Sequence, residues 1–403
     1  MFSWFDAGYV PHVLLACAVA AVAACAVTPL VRRFAHLIGA IDVPQDERRI
    51  HKKPTPRLGG LAIFIGFIIS TLLFARIDRP ALGVLIGAVI IVALGCIDDV
   101  LRVHYGIKLV FQFAAALTVA LNGLTIEVFS NPFPFGEKLI ALGWMSIPAT
   151  VIWIIALTNA VNLIDGLDGL ACGVSMIGSV SLLVIAMALQ KPEVAVVMAA
   201  LSGGCLGFLP YNKHPARLFM GDTGATFLGF ILATTAIQGT FKVYATISFA
   251  VPFLILGIPI FDTASSVFRR LRRGGNPAHA DRGHIHHKLI DMGFSQKQAV
   301  ALLYGISAAL GITAVVLTTA GELNAILVLL VMAGACLGGY LALHYRIKEG
   351  RRANGGSTPP HDQSADGAAE IPAAVSAVTP DKVAAPGESI QNPSAAGGRD
   401  GEY

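Results

Sequence analysis

Long apolar runs, separated by short polar links, set the hydrophobic pattern of this chain. Apolar runs of about 17–25 residues predict helices that cross a membrane. The pattern therefore predicts an all-α polytopic membrane protein with about eleven transmembrane helices. The first predicted span has no Lys or Arg before Arg32, which predicts an uncleaved span because a secretory signal begins with basic residues. The predicted spans are residues 10–31, 59–75, 80–97, 108–126, 147–163, 169–189, 193–210, 222–239, 244–267, 299–319 and 323–344.

Basic residues divide the links between the spans into two groups. The links after even-numbered spans contain five Lys or Arg residues, whereas most of the 29 lie in the links after odd-numbered spans. Basic links tend to stay in the cytoplasm. The odd-numbered links are therefore predicted to be cytoplasmic, with the N-terminus outside the cell and the C-terminus inside.

Composition narrows the class of protein further. Of the 403 residues, 55% are apolar and 13% are charged, against roughly 25% charged in an average soluble domain. This balance excludes a water-soluble globular protein, a disordered protein and a nucleic-acid-binding protein, and it makes the lipid bilayer the expected partner. The six cysteines lie in apolar runs without a CxxC pair, which predicts small apolar side chains rather than metal ligands.

The C-terminal segment differs from the rest of the chain. From Gly350 onward it is rich in Gly, Ala, Pro and Ser, a composition that buries too little apolar surface to fold. We therefore expect an integral-membrane domain over residues 1–348 and a disordered cytoplasmic tail over residues 349–403.

The unusual polar residues gather on the predicted cytoplasmic links. Basic residues, including Lys52 and Lys53, crowd the segment 48–60, where they suit either anionic lipid headgroups or a bound phosphate. Asp98 and Asp99 end the third span. Two adjacent carboxylates at a membrane boundary repel each other, so they indicate a cation or a base role, with a simple stop at the interface as the alternative.

A polar stripe ends the fifth predicted span. Its members recur every three residues, so that three successive ones share a helix face; they are Asn159, Asn162, Asp165 and Asp168. Polar residues within a membrane segment are costly and indicate function, with helix capping and packing as the alternative. A glycine follows each of the two Asp residues and would let the backbone turn or a ligand approach closely.

Asp222 and a histidine cluster complete the polar set. Asp222 begins the eighth span, either as a helix cap or as an oxygen ligand for a hard cation. His284, His286 and His287 lie in an Arg-rich link, which favours an anion such as phosphate over Zn²⁺. Together the links predict an integral-membrane enzyme that acts on a phosphate or diphosphate at the cytoplasmic face. An anion transporter is the alternative, disfavoured because the polar residues cluster on one side and no internal repeat is evident.

Five segments carry a resemblance to a known family. In this order, HKKPTPRLGG, IDDV, NAVNLIDGLDGL, FMGDTG and DRGHIHHKL resemble the polyprenyl-phosphate N-acetylhexosamine-1-phosphate transferase superfamily over about residues 40–345. The PTPRLGG and HIHH forms are similar to its GlcNAc-1-phosphate branch. The resemblance implies a cytoplasmic active-site cleft in the bacterial inner membrane. It also implies the transfer of a sugar 1-phosphate from UDP-N-acetylhexosamine to undecaprenyl phosphate, with release of UMP and with Mg²⁺ or Mn²⁺ as cofactor.

The resemblance leaves the sugar and the assembly open. GlcNAc is the expected sugar, with GalNAc, a diacetamido-hexose and MurNAc-pentapeptide as alternatives. The oligomeric state is open, a homodimer included. The expected chemistry is a single displacement, with a covalent phospho-Asp intermediate as the alternative.

The resemblance also implies roles for individual residues. Asp98 would act as the base toward the lipid phosphate, and Asp222 would bind the metal with Asn162 nearby. Arg102 stands where the family often has an acid or a Lys, which leaves a third catalytic role open. The remaining implied catalytic residues are Asp99, His284, His286 and His287, and the implied nucleotide-sugar contacts are Lys52 or Lys53, Asn159, Asp165, Asp168, Asn212 and Phe219.

Overall fold

A computed structural model describes residues 9–43, 54–130, 139–240, 250–272 and 283–353. By their contacts, residues Met1–Gly350 form one unit and Arg351–Tyr403 another. Most of the predicted tail, 349–403, lies outside the described residues, so the division of the chain at residue 348 stays a prediction.

Helices form nearly all the regular structure of the described residues, which confirms the predicted all-α membrane class. They are α1 (Val10–Leu37), α2 (Gly60–Phe74), α3 (Arg79–Leu101), α4 (Tyr105–Leu121), α5 (Ser146–Leu163), α6 (Leu170–Ala188), α7 (Pro192–Asn212), α8 (Gly221–Thr240), α9 (Ala250–Ile255), α10 (Gly257–Arg272), α11 (Ile285–Asp291), α12 (Gln296–Ala320) and α13 (Glu322–Ala353). Two short antiparallel pairs join β1 (Ile41–Asp42) to β2 (Thr55–Pro56) and β3 (Val128–Ser130) to β4 (Leu139–Ala141).

The long helices suit a bilayer. Among the described residues, seven helices are long and apolar enough to cross a membrane, in α1, α3, α5, α6, α7, α12 and α13, and the apolar helices α2 and α4 are shorter. Large apolar side chains lie exposed on their outer faces, as at Leu73, Val110 and Val331. Such a continuous apolar surface favours contact with lipid rather than water. The predicted total of eleven spans stays a prediction.

The ninth predicted span is not one continuous helix. Its residues 244–249 lie outside the described residues, and the rest is interrupted between α9 and α10. Pro259 has no N–H to donate to the carbonyl of Ile255, so one helical hydrogen bond is missing at the interruption. The prediction of a single helix over 244–267 is therefore wrong, and α10 continues to Arg272 with a basic last turn.

Small residues bring the helices of the bundle close together. A Cβ atom at Gly66 of α2 would lie 2.6 Å from the carbonyl oxygen of Ala20, and one at Gly203 of α7 would lie 2.2 Å from that of Cys17. Both carbonyls belong to α1, so glycine permits the close packing of α1 with α2 and α7. Cys172 and Cys205 are free thiols and are buried within the bundle.

Helix α8 lies at the centre of the bundle. It packs against α2, α3, α5 and α6, and its Phe227 and Phe230 are fully buried. The end of α3 meets the start of α8 where a Cβ at Gly95 would lie 2.4 Å from the Cα of Thr223. This close approach brings the Asp98–Asp99 pair of α3 next to Asp222 of α8.

Candidate active site

Asp99 caps helix α8 from a neighbouring helix. Its Oδ1 accepts from the backbone N–H of Asp222 at 2.9 Å, and its Oδ2 accepts from the backbone N–H and the hydroxyl of Thr223 at 3.1 and 2.6 Å. The first N–H groups of a helix lack partners within the helix and favour a negative charge. The cap of α8 is thus supplied by Asp99, which leaves the carboxylate of Asp222 for another partner.

That partner is Lys108, at the start of α4. Its Nζ donates to Asp222 Oδ2 at 2.7 Å and contacts Asp98 Oδ2 as well. Asp98 also accepts from the backbone N–H of Val103 at 2.7 Å through its other oxygen. One ammonium group therefore neutralises two carboxylates from different helices.

The basic segment 48–60 approaches the Asp98, Asp99 and Asp222 carboxylates through backbone hydrogen bonds at its C-terminal end. Residues 56–60 run beside residues 219–220, with Phe219 N–H donating to the carbonyl of Pro56 and Gly59 N–H donating to the carbonyl of Phe219, both at 2.9 Å. This pairing brings Arg57 Nε to 3.8 Å from Asp99 Oδ1. Lys52 and Lys53 lie outside the described residues, so their predicted roles stay predictions.

The polar stripe of the fifth span is divided by the end of its helix. Helix α5 ends at Leu163, so Asp165 and Asp168 lie in the following link instead of on the helix face predicted for them. Asn159 lies on α5 and pairs with Gln112 of α4, its Nδ2 donating to Gln112 Oε1 at 2.6 Å. Asn162 lies in the last turn of α5.

Asp165 faces the charged cluster from this link. Its pKa is raised to about 8, first by burial and then by the carboxylates of Asp222, Asp99 and Asp168, while Arg57 opposes the shift. The carboxyl group therefore lies close enough to Asp222 and Asp99 for their charges to disfavour its ionised form.

Asp168 holds the loop between α7 and α8. Its Oδ2 accepts from the backbone N–H of Ala216 at 3.1 Å and lies 2.8 Å from His214 Nδ1. Asn212, at the start of this loop, donates from Nδ2 to the carbonyl of Leu218 at 3.1 Å. Its buried Oδ1 has no hydrogen-bond partner among the described residues, so it has an acceptor to offer a ligand.

The histidine cluster packs against the link that contains Asp165. A Cβ at Gly166 would lie 2.2 Å from His286 Nε2, so glycine is required for the imidazole to approach the backbone. His286 is buried and stacks on His284, with ring centroids 5.8 Å apart, and its ring lies 4.4 Å from that of His287.

His286 is held in its neutral form. Its pKa is lowered to about 4, first by burial and then by the charges of His287 and His284, while Asp262 opposes the shift. A neutral imidazole carries one N–H donor and one acceptor nitrogen. At neutral pH this ring can therefore donate one hydrogen bond to a bound anion without bringing a positive charge.

The carboxylates of the site offer oxygen ligands to a metal ion. No group of three or more His, Cys, Asp and Glu side chains in the described part of the chain is arranged to hold an ion. Asp98 and Asp222 nevertheless converge on one cationic group, the ammonium of Lys108. Carboxylate oxygens that converge on a cation are the donors that Mg²⁺ takes, together with substrate oxygens and water, so the donor set fits that ion.

Sequence reasoning missed two charged residues of this site. Lys108 stands at the start of the fourth predicted span and Asp262 stands within the ninth. A charged residue in an otherwise apolar run is itself a signal of function. The hydrophobic pattern places both within spans, and the structure gives Lys108 the carboxylate of Asp98 and Asp262 the imidazole of His284 as partners.

The fold and the site together define a class of protein. It is a multi-pass helical membrane protein whose carboxylate, ammonium and imidazole groups meet at the ends of several helices. The sequence profile of glycosyl transferase family 4 matches residues 81–240, and related proteins match 69–73% of the chain. The chain belongs to this family and is a transferase, which confirms the resemblance seen in its motifs.

Three relatives illustrate the range of the family. A protein of Bacillus subtilis named probable undecaprenyl-phosphate N-acetylglucosaminyl 1-phosphate transferase is 40% identical over 73% of this chain and 82% of its own length. A decaprenyl-phosphate N-acetylglucosaminephosphotransferase of Mycolicibacterium smegmatis is 33% identical over 69% of this chain and 75% of its own. A phospho-N-acetylmuramoyl-pentapeptide-transferase of a Thermoanaerobacter species is 38% identical over 47% of this chain and 62% of its own.

Proposed function

We propose that this protein transfers N-acetylglucosamine 1-phosphate from UDP-N-acetylglucosamine to undecaprenyl phosphate and releases UMP. The observation that carries the proposal is the contact of Lys108 with both Asp98 and Asp222. It joins acidic and basic groups of three helices at one point, and phosphoryl transfer depends on such positioning and charge neutralisation. The name of the Bacillus subtilis relative, which describes the same acceptor and the same sugar, supports the choice of substrates.

Asp98 is the proposed base of the reaction. It orients the acceptor phosphate and removes its proton, and the freed oxygen attacks the β-phosphorus of the sugar nucleotide. A new P–O bond forms to the lipid phosphate while the bond between the β-phosphorus and the oxygen of UMP breaks. Lys108 and Arg57 offset the negative charge that accumulates at this point, and His284, His286 and His287 contact the diphosphate.

Asp222 is the proposed ligand of Mg²⁺ or Mn²⁺, with Asn162 beside it. When bound, this ion supplies positive charge next to the diphosphate. Asp99 keeps Asp222 in place by capping α8. Asp98 and Asp222 both contact the ammonium group of Lys108, and this preference for positive charge supports a cation at the same place.

The proposed contacts of the sugar nucleotide surround the loop between α7 and α8. Asn212 contributes its unpaired acceptor and Phe219 its ring, while Asp165 and Asp168 approach from the link after α5. Asn159 and the lysines Lys52 and Lys53 complete the set. The Thermoanaerobacter relative is named for a different sugar substrate, which makes the same reaction with another UDP-sugar the second candidate.

The proposed location is the bacterial inner membrane. The basic links and the catalytic residues then lie on the cytoplasmic side, where UDP-sugars are available. The membrane domain covers residues 1–348, and residues 349–403 extend into the cytoplasm.

The test is a reaction of the purified protein in detergent with undecaprenyl phosphate and one UDP-sugar at a time. UDP-GlcNAc, UDP-GalNAc, a UDP-diacetamido-hexose and UDP-MurNAc-pentapeptide are compared by UMP release, each with Mg²⁺ and with EDTA. We expect release with UDP-GlcNAc and Mg²⁺ only. Release with none of the four overturns the function, a preference for another sugar overturns the substrate, and release in EDTA overturns the metal.

A further inference from the structure

Asp262 of α10 binds the start of the histidine cluster with both carboxylate oxygens. Its Oδ2 lies 2.8 Å from His284 Nδ1, and its Oδ1 accepts from the backbone N–H of Ile285 at 2.8 Å. Asp262 and His284 are 1% and 7% exposed. A carboxylate that is buried beside an imidazole and a backbone N–H forms strong, directional contacts.

This contact determines which nitrogen of His284 carries its proton. A carboxylate can only accept, so Nδ1 must be the donor, and in the neutral ring Nε2 then has the free lone pair. The backbone bond to Ile285 fixes the residue that follows, which is the first residue of α11. Asp262 thus sets both the tautomer and the direction of the ring.

A second contact from α10 lies at the same place. A Cβ at Gly283 would lie 2.2 Å from Arg269 Nη2, and the same nitrogen donates to Ser266 Oγ at 2.9 Å. Ser266 Oγ in turn lies 3.5 Å from His284 Nδ1. Residues 262, 266 and 269 are spaced by one helical turn, so one face of α10 holds the segment that carries the histidines.

We propose that Asp262 is a positioning residue of the active site, which holds His284 in the Nδ1–H tautomer and, through the stacked rings, holds His286 against Gly166. Asp262 acts through His284 and does not contact the substrate. The consequence for catalysis rests on the proposed function, whereas the anchoring of residues 284–285 does not. Carboxylates that orient a metal-bound histidine typically contribute about 10- to 100-fold to affinity or activity, and we expect an effect of the same order from Asp262.

Steady-state kinetics test the catalytic consequence. Asp262→Asn keeps the shape of the side chain but removes the charge and one acceptor. We expect kcat for UMP release to fall about tenfold or more, while KM for UDP-GlcNAc changes by less than about threefold, because the substrate-binding groups stay in place. The matched control is Asp291→Asn, the same change at an exposed position of α11, which should leave kcat unchanged.

A double-mutant cycle separates positioning from general stability. The cycle repeats Asp262→Asn in a His284→Asn variant, whose residual turnover is measured with radiolabelled UDP-GlcNAc. Asp262→Asn should then cause no further loss of kcat, because the imidazole through which Asp262 acts is absent. A loss of equal size in both backgrounds, or full kcat in a folded Asp262→Asn variant, overturns the proposal.

Hydrogen–deuterium exchange measures the anchoring without any substrate. Peptides that cover residues 284–291 should exchange faster in Asp262→Asn than in the wild type, and peptides of α1 and α7 should not change. An inactive wild type contradicts the proposed function alone, whereas unchanged exchange contradicts this inference. If Asp262→Asn does not fold, Ser266→Ala is used in its place. We then expect a smaller rise in the exchange of the same peptides, and no rise would contradict the inference.

Discussion

The hydroxyl of Thr223 donates a hydrogen bond to Asp99 Oδ2 at 2.6 Å, across the junction of α3 and α8. The contact separates the tasks of two adjacent carboxylates. Asp99 turns toward the start of α8, whereas Asp98 turns toward Lys108. The sequence presents the two residues as one acidic pair, and the structure gives one of them a structural partner and the other a charged partner.

Removal of this hydroxyl should destabilise the junction. Thr223→Val keeps the volume of the side chain and leaves Asp99 with one donor fewer, so we expect a loss of about 1–3 kcal/mol of stability and a lower melting temperature in detergent. Thr234→Val is the matched control in the same helix, since its hydroxyl bonds to the carbonyl of Phe230 in the preceding turn. Equal melting temperatures for the two variants would contradict the special role of Thr223.

Lys108 should be required for turnover. Lys108→Met keeps most of the apolar stem but removes the charge that faces Asp98 and Asp222, so the two carboxylates repel each other and the charge of the transition state is less well offset. We expect kcat for UMP release to fall by about 10²–10³-fold. Lys297→Met, at an exposed position of α12, is the control and should have normal activity. Comparable kcat values would show that Lys108 has no part in catalysis.

Asp98→Asn and Asp222→Asn should each abolish turnover. The first change removes the proposed base, and the second removes the proposed metal ligand. Both variants should still insert into the membrane, because neither changes an apolar helix face. UMP release and the amount of protein in the membrane fraction are measured together, and near-normal release by either variant contradicts its assigned role.

A methyl group at Gly166 should displace His286. The Cβ of Gly166→Ala would lie 2.2 Å from Nε2 of this buried ring, so the imidazole must move and kcat should fall. Gly305→Ala on α12 is the matched control, because its Cβ would meet no atom within 4 Å. The two variants are compared by kcat and by melting temperature, and a kcat for Gly166→Ala that equals the control would refute the contact.

The pH dependence of stability should contain a contribution from His286. Its pKa in the folded protein is about 4, below the value of about 6.5 of an unperturbed histidine. Between these values the unfolded chain binds more protons than the folded one, so stability falls as the pH is lowered from about 6.5 toward 4. We expect the melting temperature of the wild type to fall over this range, and to fall less steeply in His286→Gln. Identical slopes would contradict the lowered pKa.

The hydrophobic pattern predicted the helices well and failed at particular points. The ninth span was predicted as continuous, although the missing N–H of Pro259 lies where the structure interrupts it. The fifth span was predicted to end at residue 163, as α5 does, and only the three-residue spacing of its polar residues placed Asp165 on a helix face. Pro259 changes the backbone locally while the run stays apolar, so hydropathy gives no sign of the interruption. The spacing of polar residues likewise gives no sign of where a helix ends.

The sequence by itself determined the class of membrane protein and the segments that contain the site. The length of an apolar run fixes whether it can cross a bilayer, and charged residues within it are costly and therefore indicate function. Only the tertiary structure decided the partners within the site. Lys108 and Asp222 are 114 positions apart in the chain, and Asp262 and His284 are 22 apart. They meet because helices of different sequence position pack side by side, and the packing depends on close contacts such as that of Gly95 with Thr223, which no local pattern encodes.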